Sequence, residues 1–303
     1  MPPAEVWRAA LEQLEDARVV LVIGPSDAGK TTLVAALARA LTGRGARVGI
    51  VDADVGQSEI GPPTTVGLGR VAASLERPSD AVLVGLQFVG VSSPARDIAG
   101  VVEATRRMTA RARDEGFDRV LIDTSGLVSG WPGRLLKQRK IEAVDPDIVL
   151  ALERADECEP ILARYGAVAR PRVVRLLAPG RPRSRSQIAR RGHRAAALDR
   201  YLAGATVLSL DATRVTVTPP RGVPREACLG ALCGLQDAAG MTVALGVVNE
   251  IDGARIQVRA PAVAVAAIAE VRVGRERADG ALAASVPAAR ASVRRGDGRD
   301  GAP

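Results

Sequence analysis

Short aliphatic runs alternate with longer amphipathic stretches along the chain up to about residue 204. Residues 3–17 have helical spacing, with Val6, Ala10 and Leu14 on one side. The run RVVLVIG follows and ends at Gly24, as a parallel strand buried on both faces would. TTLVAALARALTGRG then reads as a helix stopped by Gly43 and Gly45. The rhythm continues with strands over 47–54, 81–90, 119–126, 147–153 and 173–179. Helices are predicted over 96–115, 134–144, 154–165 and 184–203. This alternation predicts the α/β class: a mainly parallel sheet with helices on both faces.

The rhythm changes near residue 205. Segments 206–210, 213–218, 242–248, 255–259 and 268–273 are short and extended, and NEIDG at 249–253 is a hairpin-turn signal. The expected organisation is therefore a P-loop kinase domain over 1–204, a small C-terminal β-rich domain over 205–275, and a disordered tail over 276–303. That tail is rich in Ala, Arg, Gly and Asp.

Composition adds three constraints. Aromatic residues make up only 2% of the 303 residues, so the core must be aliphatic. The net charge is +8, and lysine occurs only at positions 30, 137 and 140, leaving arginine to carry nearly all of the positive charge. A basic balance suits polyanionic partners such as nucleic acid, and arginine drift across the whole sequence would produce it equally well. Cys158, Cys228 and Cys233 form no metal or redox spacing, which fits a reduced, cytoplasmic protein. The N-terminal segment is acidic and lacks the apolar stretch of a signal peptide. No apolar run approaches the ~20 residues that span a bilayer, so no membrane association is expected.

The chemistry begins at Gly24-Pro25-Ser26-Asp27-Ala28-Gly29-Lys30-Thr31, which matches G-x-x-x-x-G-K-[ST] at every fixed position. It follows a predicted strand and opens a predicted helix, so its backbone amides can cradle phosphates at a helix N-terminus. In that arrangement Lys30 reaches the β- and γ-phosphates of ATP or GTP, and the Thr31 hydroxyl ligates Mg²⁺. Thr32 completes the cofactor-binding stretch. The loop alone does not choose among GTPases, ATPases and kinases. An N-K-x-D guanine element is missing, since Asn249 is the single asparagine. The additional early loop lysine of partition-type ATPases is missing as well.

Asp52 and Asp54 end the second strand at i and i+2, on one side of it. A carboxylate there can ligate a metal, accept a proton from an attacking hydroxyl, or cap the turn. Gln57 and Glu59 follow in the loop. Asp123 ends the strand RVLIDTSG as a Walker B aspartate would, with Thr124 and Ser125 beside it. Arg190 and Arg194 lie one turn apart on the basic helix, placed either to clamp a transferring phosphoryl group or simply to face solvent. His193 reads as incidental.

Taken in order, these segments resemble the RNA-processing polynucleotide 5′-hydroxyl kinases. GPSDAGKTT has the family's Pro after the first Gly and its internal Asp27. DADVGQ matches the second motif, DTSG the Thr-x-Gly-Trp motif, and Arg190-x3-Arg194 the arginine lid. The resemblance, over about residues 18–203, implies transfer of the γ-phosphoryl group of ATP to the 5′-OH end of RNA or DNA. By it Asp54 is the general base and a metal-linked carboxylate, Thr124 contacts the reaction centre, and Arg190 and Arg194 are lid residues over the phosphates. The expected catalytic set is therefore Asp54, Thr124, Arg190 and Arg194 with the loop's Lys30; the motif positions of Thr31 and Asp123 add them to Asp54 as metal ligands, and Gln57 joins the loop in binding nucleotide. Leu127 stands where the best-known members have tryptophan, and the kinase core opens without their N-terminal β domain. The rival readings are an NTP-dependent regulatory or assembly protein without kinase activity, and a kinase for a small hydroxylated metabolite.

Overall fold

The computed structural model describes residues 4–72, 75–179 and 186–278. Its strands in chain order are β1 (Val19–Ile23), β2 (Val48–Ala53), β3 (Thr65–Arg70), β4 (Val82–Phe88), β5 (Arg119–Thr124), β6 (Ile148–Glu153) and β7 (Arg172–Leu177). They continue with β8 (Thr206–Asp211), β9 (Thr216–Thr218), β10 (Ala231–Gln236), β11 (Thr242–Asp252), β12 (Arg255–Ala260) and β13 (Glu270–Arg277). The helices are α1 (Ala4–Glu12), α2 (Lys30–Gly43), α3 (Ile98–Asp114), α4 (Gly130–Val144), α5 (Glu159–Leu162) and α6 (Gln187–Tyr201).

Strands β7, β6, β1, β5 and β2 lie side by side in that order, all parallel. Every residue of β1, β2 and β6 is buried, as their largely apolar runs predict, and Asp52 of β2 and Glu153 of β6 are buried with them. Leu33, Leu37 and Leu41 of α2 pack with α1 on one face, against Val20, Val22 and Ile50. Met108 of α3, Leu136 of α4 and Ile161 of α5 cover the other face, against Leu21, Val51 and Ile122. Each such buried side chain contributes about 1.5–3 kcal/mol relative to exposure.

Two strands were not predicted. In β3, Gly67 and Gly69 dilute the strand pattern, but the structure needs the glycine. A Cβ at Gly67 would lie 2.1 Å from the Ile60 carbonyl oxygen, because the chain after β2 passes directly over this strand. In β10, an added Cβ at Gly234 would meet the Phe88 side chain at 2.6 Å. β3 and β4 run antiparallel beyond β2, so the segment at 81–90 extends the sheet as a meander.

The sheet then continues past residue 205. Thr242 of β11 pairs with Leu86 of β4, and its hydroxyl accepts the Phe88 amide at 2.9 Å. β10, β13 and β9 follow, while β12 pairs with β11 and β8 with β12, both antiparallel. The expected hairpin is real, but β11 runs through Asp252, so the turn sits at Gly253 and Ala254. This β-rich region has its own aliphatic core, including Leu235, Val248, Ile256 and Val271. β13 reaches Arg277, and the rest of the expected tail, from residue 279, lies outside the described residues. So do residues 184 and 185 of the basic helix. Helix α6 lies against the C-terminal strands: Leu198 and Leu202 pack with Phe88, Leu232, Leu245 and Val247, and the Tyr201 hydroxyl accepts the Leu245 amide. No helix among the described residues is long and apolar enough to cross a membrane.

Candidate active site

The phosphate loop leaves β1 through Gly24, whose φ of +152° and closeness to Leu152 admit no side chain. It enters α2 through Gly29, at φ +97°, with no side chain capping the first turn. That helix end therefore offers free amides to an anion. Lys30 is 7% exposed, and its Nζ donates to the Pro25 carbonyl at 2.8 Å, curled over the loop. Burial lowers its pKa, opposed by the charges of Asp123 and Asp54. Asp27 sits at φ +58°. Ser26 is exposed at the loop's rim, where a Cβ on Gly126 would lie 2.5 Å from its backbone; Thr32 is exposed and Ala28 is buried.

The Thr31 hydroxyl donates to Asp123 Oδ2 at 2.5 Å. Asp123 Oδ1 is buried and has no hydrogen-bond partner. Burial raises the Asp123 pKa against the pull of Lys30. A buried carboxylate oxygen without a donor, one bond from a helix-start hydroxyl, fits a hard cation that takes its remaining ligands from phosphate and water. No three His, Cys, Asp or Glu side chains converge as a metal site among the described residues, consistent with a cation shared with a nucleotide.

The two carboxylates after β2 divide their work. Asp52 is buried and receives the Glu59 and Ile60 amides at 2.6 and 3.0 Å, the Ser58 hydroxyl at 3.2 Å and the Asp54 amide at 3.1 Å. It shapes the loop, although burial and then the charge of Asp123 push its pKa up to about 7. Asp54 Oδ1 accepts the Gly56 and Gln57 amides at 3.0 and 3.1 Å, which leaves Oδ2 without a partner among the described residues. Of the pair, Asp54 keeps a free oxygen.

All three lysines of the chain converge here. Lys137 and Lys140, both on α4, are fully buried. Lys137 Nζ donates to Thr124 Oγ1 at 2.8 Å and to the Ser125 carbonyl; Lys140 Nζ donates to the Ala53 carbonyl at 3.0 Å. Ala53 and Thr124 are register partners on β2 and β5, as are Asp52 and Asp123. One helix thus ties together the two strand ends that carry the carboxylates. Burial, then the charges of Lys140 and Lys30, drives the Lys137 pKa well below its ordinary value, and burial lowers Lys140 to about 8. Sequence reasoning counted these lysines without placing them. The signal was their retention in a chain that uses arginine almost everywhere else. Thr124, expected to contact the reacting groups, instead donates its hydroxyl to the Val22 carbonyl at 2.7 Å and accepts Lys137, so it braces the sheet.

Helix α6 closes over the loop. Arg190 Nη2 lies 3.4 Å from Asp27 Oδ2, and the Arg190 carbonyl accepts Gln57 Nε2 at 3.3 Å. His193 Nε2 stands 3.5 Å from Glu59 Oε1, so it also faces the loop after β2. Arg194 does not join Arg190 at Asp27; it lines a cavity with Thr64 and Ser92.

The family model for the mRNA cleavage and polyadenylation factor CLP1 P-loop matches residues 24–204. A polyribonucleotide 5′-hydroxyl-kinase of Pyrococcus furiosus is 37% identical over 199 residues, covering 66% of this chain and 54% of that protein. One of Pyrococcus horikoshii is 34% identical over 208 residues, covering 69% and 56%. The chain thus spans little more than half the length of the curated relatives it matches. A solved complex of Clp1p with Pcf11p superimposes with a TM-score of 0.69 over 90% of this chain and 79% of that one; at 14% identity this likeness concerns the fold.

Proposed function

From the premise that the chain belongs to the CLP1 P-loop family, we propose that it is an ATP-dependent polynucleotide kinase that phosphorylates the 5′-hydroxyl of RNA or DNA ends. The observation that carries this reading is Asp54, which keeps a free carboxylate oxygen one residue past β2, the strand whose Asp52 is the register partner of Asp123 in the Thr31–Asp123 pair. In the reaction Asp54 Oδ2 takes the proton of the acceptor hydroxyl. The new bond forms from O5′ to the γ-phosphorus as the bond to the β–γ bridging oxygen breaks, and ADP leaves. Lys30 turns from the Pro25 carbonyl to the phosphates, and Arg190 meets the developing charge from the lid. Thr31, Asp123 and Asp54 would hold Mg²⁺, which when bound neutralises phosphate charge. Lys137 and Lys140 keep the strand ends in place.

Labelled ATP incubated with 5′-OH RNA and DNA oligonucleotides tests the proposal. Label is expected on an RNA or DNA end, and its absence under every metal and pH condition rejects the activity. Lys30→Ala and Asp54→Ala are each expected to lower kcat by a factor of a hundred or more, on the order of 3 kcal/mol of transition-state stabilisation, with the fold intact. Leu127 packs partly buried against the core at the motif's tryptophan position, which favours a second reading, nucleotide binding without transfer. Calorimetric ATP binding with no labelled end would select it.

A further inference from the structure

A cavity of about 150 Å³ opens between α6, the end of the loop after β2, and β13; Thr64, Ser92, Arg194, Leu198, Leu232 and Glu276 are among its lining residues. At liquid density it would hold about five waters. Thr64 is 1% exposed, yet its hydroxyl has no hydrogen-bond partner. Its φ is +71°, a strained conformation for a β-branched residue. The surroundings enforce it: the Thr64 amide donates to the Val55 carbonyl at 2.9 Å, and its carbonyl accepts the Val89 and Gly90 amides at 2.9 and 3.1 Å.

Arg194 is half-buried and makes no ion pair or hydrogen bond among the described residues, whereas Arg190, one turn earlier, is bound to Asp27. The cavity's acids do not neutralise it. Glu276 Oε1 already receives the Ser92 amide and hydroxyl and Arg96, at 3.2, 2.9 and 3.3 Å, and Asp199 is exposed. Arg277 adds a second guanidinium to the lining, and its partners are the neutral Ala227 and Leu229 carbonyls. The cavity wall at Ser92 also abuts the loop that follows the proposed base. A Cβ at Gly56, two residues past Asp54, would stand 2.6 Å from the Ser92 carbonyl oxygen.

We propose that this cavity is the acceptor subsite, where Arg194 binds the first internucleotide phosphate and the Thr64 hydroxyl hydrogen-bonds the 2′-hydroxyl of the terminal ribose. A sugar hydroxyl satisfies both the donor and the acceptor capacity of a buried threonine, and a 2′-hydroxyl distinguishes RNA from DNA. The two lid arginines then serve different substrates, Arg190 the nucleotide and Arg194 the acceptor. This assignment rests on the kinase reading.

The test uses steady-state kinetics of the full chain on matched ribo and deoxyribo 5′-OH oligonucleotides, with thermal melts to confirm folding. Arg194→Met is expected to raise the acceptor KM at least tenfold while the ATP KM stays within twofold. Thr64→Val should raise KM about five- to tenfold for the ribo acceptor and leave the deoxyribo acceptor unchanged, and Thr64→Ser should restore the wild-type value. The subsite is overturned if Arg194→Met acts on the ATP KM instead, if Thr64→Val affects both acceptors equally, or if Thr64→Ser does not restore it. Should the wild type label no end at all, the kinase reading fails separately. Fluorescence anisotropy with the same RNA then decides the subsite: weaker binding by Arg194→Met supports it, and equal binding overturns it.

Discussion

Lys140 is the residue with the sharpest physical signature in the site. It is fully buried, has one acceptor in the Ala53 carbonyl, and has its pKa lowered to about 8 from the ordinary 10.5. The unfolded chain holds this proton more tightly than the folded chain does. The cost of burying the charge is therefore full below pH 8 and is relieved as pH rises from 8 to 10.5. Measured by denaturation against Lys140→Met, the wild type should gain on the order of 3 kcal/mol across that window; a flat difference would mean that the amine is not buried as described. Lys137 explains why arginine has not replaced lysine here. A guanidinium overfills a hole shaped for an ammonium, so Lys137→Arg should destabilise the fold by about 1–3 kcal/mol in urea unfolding. Residue type and spacing made Lys30, Thr31 and Asp123 legible in the sequence. They did not reveal that Asp52 spends its oxygens on loop amides while Asp54 keeps one free, because which amides fold back is decided by the path of the loop over β3.

At the scale of elements, the parallel core was legible because its strands are mostly aliphatic runs, and β1, β5 and β6 each lead into a helix. β3 and β10 were not, because their glycines answer to neighbours distant in sequence, Ile60 for Gly67 and Phe88 for Gly234. The join between the phosphate loop and the segment after β5 is of the same kind. An added methyl at Gly126 would meet the Ser26 Oγ and, at 2.5 Å, the Ser26 backbone; the hydroxyl can turn away but the backbone cannot. Gly126→Ala should push the two segments apart and weaken ATP binding at least tenfold by calorimetry, with a smaller effect on melting temperature, since the contact lies at the end of the sheet rather than in its core.

Across the whole molecule, the C-terminal strands hold the lid. Leu198, Leu202 and Tyr201 of α6 are packed and hydrogen-bonded against β10 and β11, whereas contact with the phosphate loop rests on the partly exposed Arg190–Asp27 pair. A chain ending at residue 204 should leave the β4 edge unpaired and α6 without its apolar seat. Rapid hydrogen exchange and early proteolysis across 187–201 are expected, while β1, β5 and β6 stay protected; an equally protected α6 would show that the lid stands by itself.

The convergence of three lysines gives the folded protein an unusual surface. Besides its N-terminal amine, it presents almost no primary amine to solvent, because Lys30 is 7% exposed and Lys137 and Lys140 are fully buried. Among the lysines, an amine-directed reagent therefore reports on a single place in the folded molecule, Lys30. Acylation of Lys30 should be slow, should be suppressed further by bound nucleotide, and should spread to positions 137 and 140 only when the chain opens. The same reagent, read by peptide mass, thus measures occupancy in the native state and unfolding beyond it.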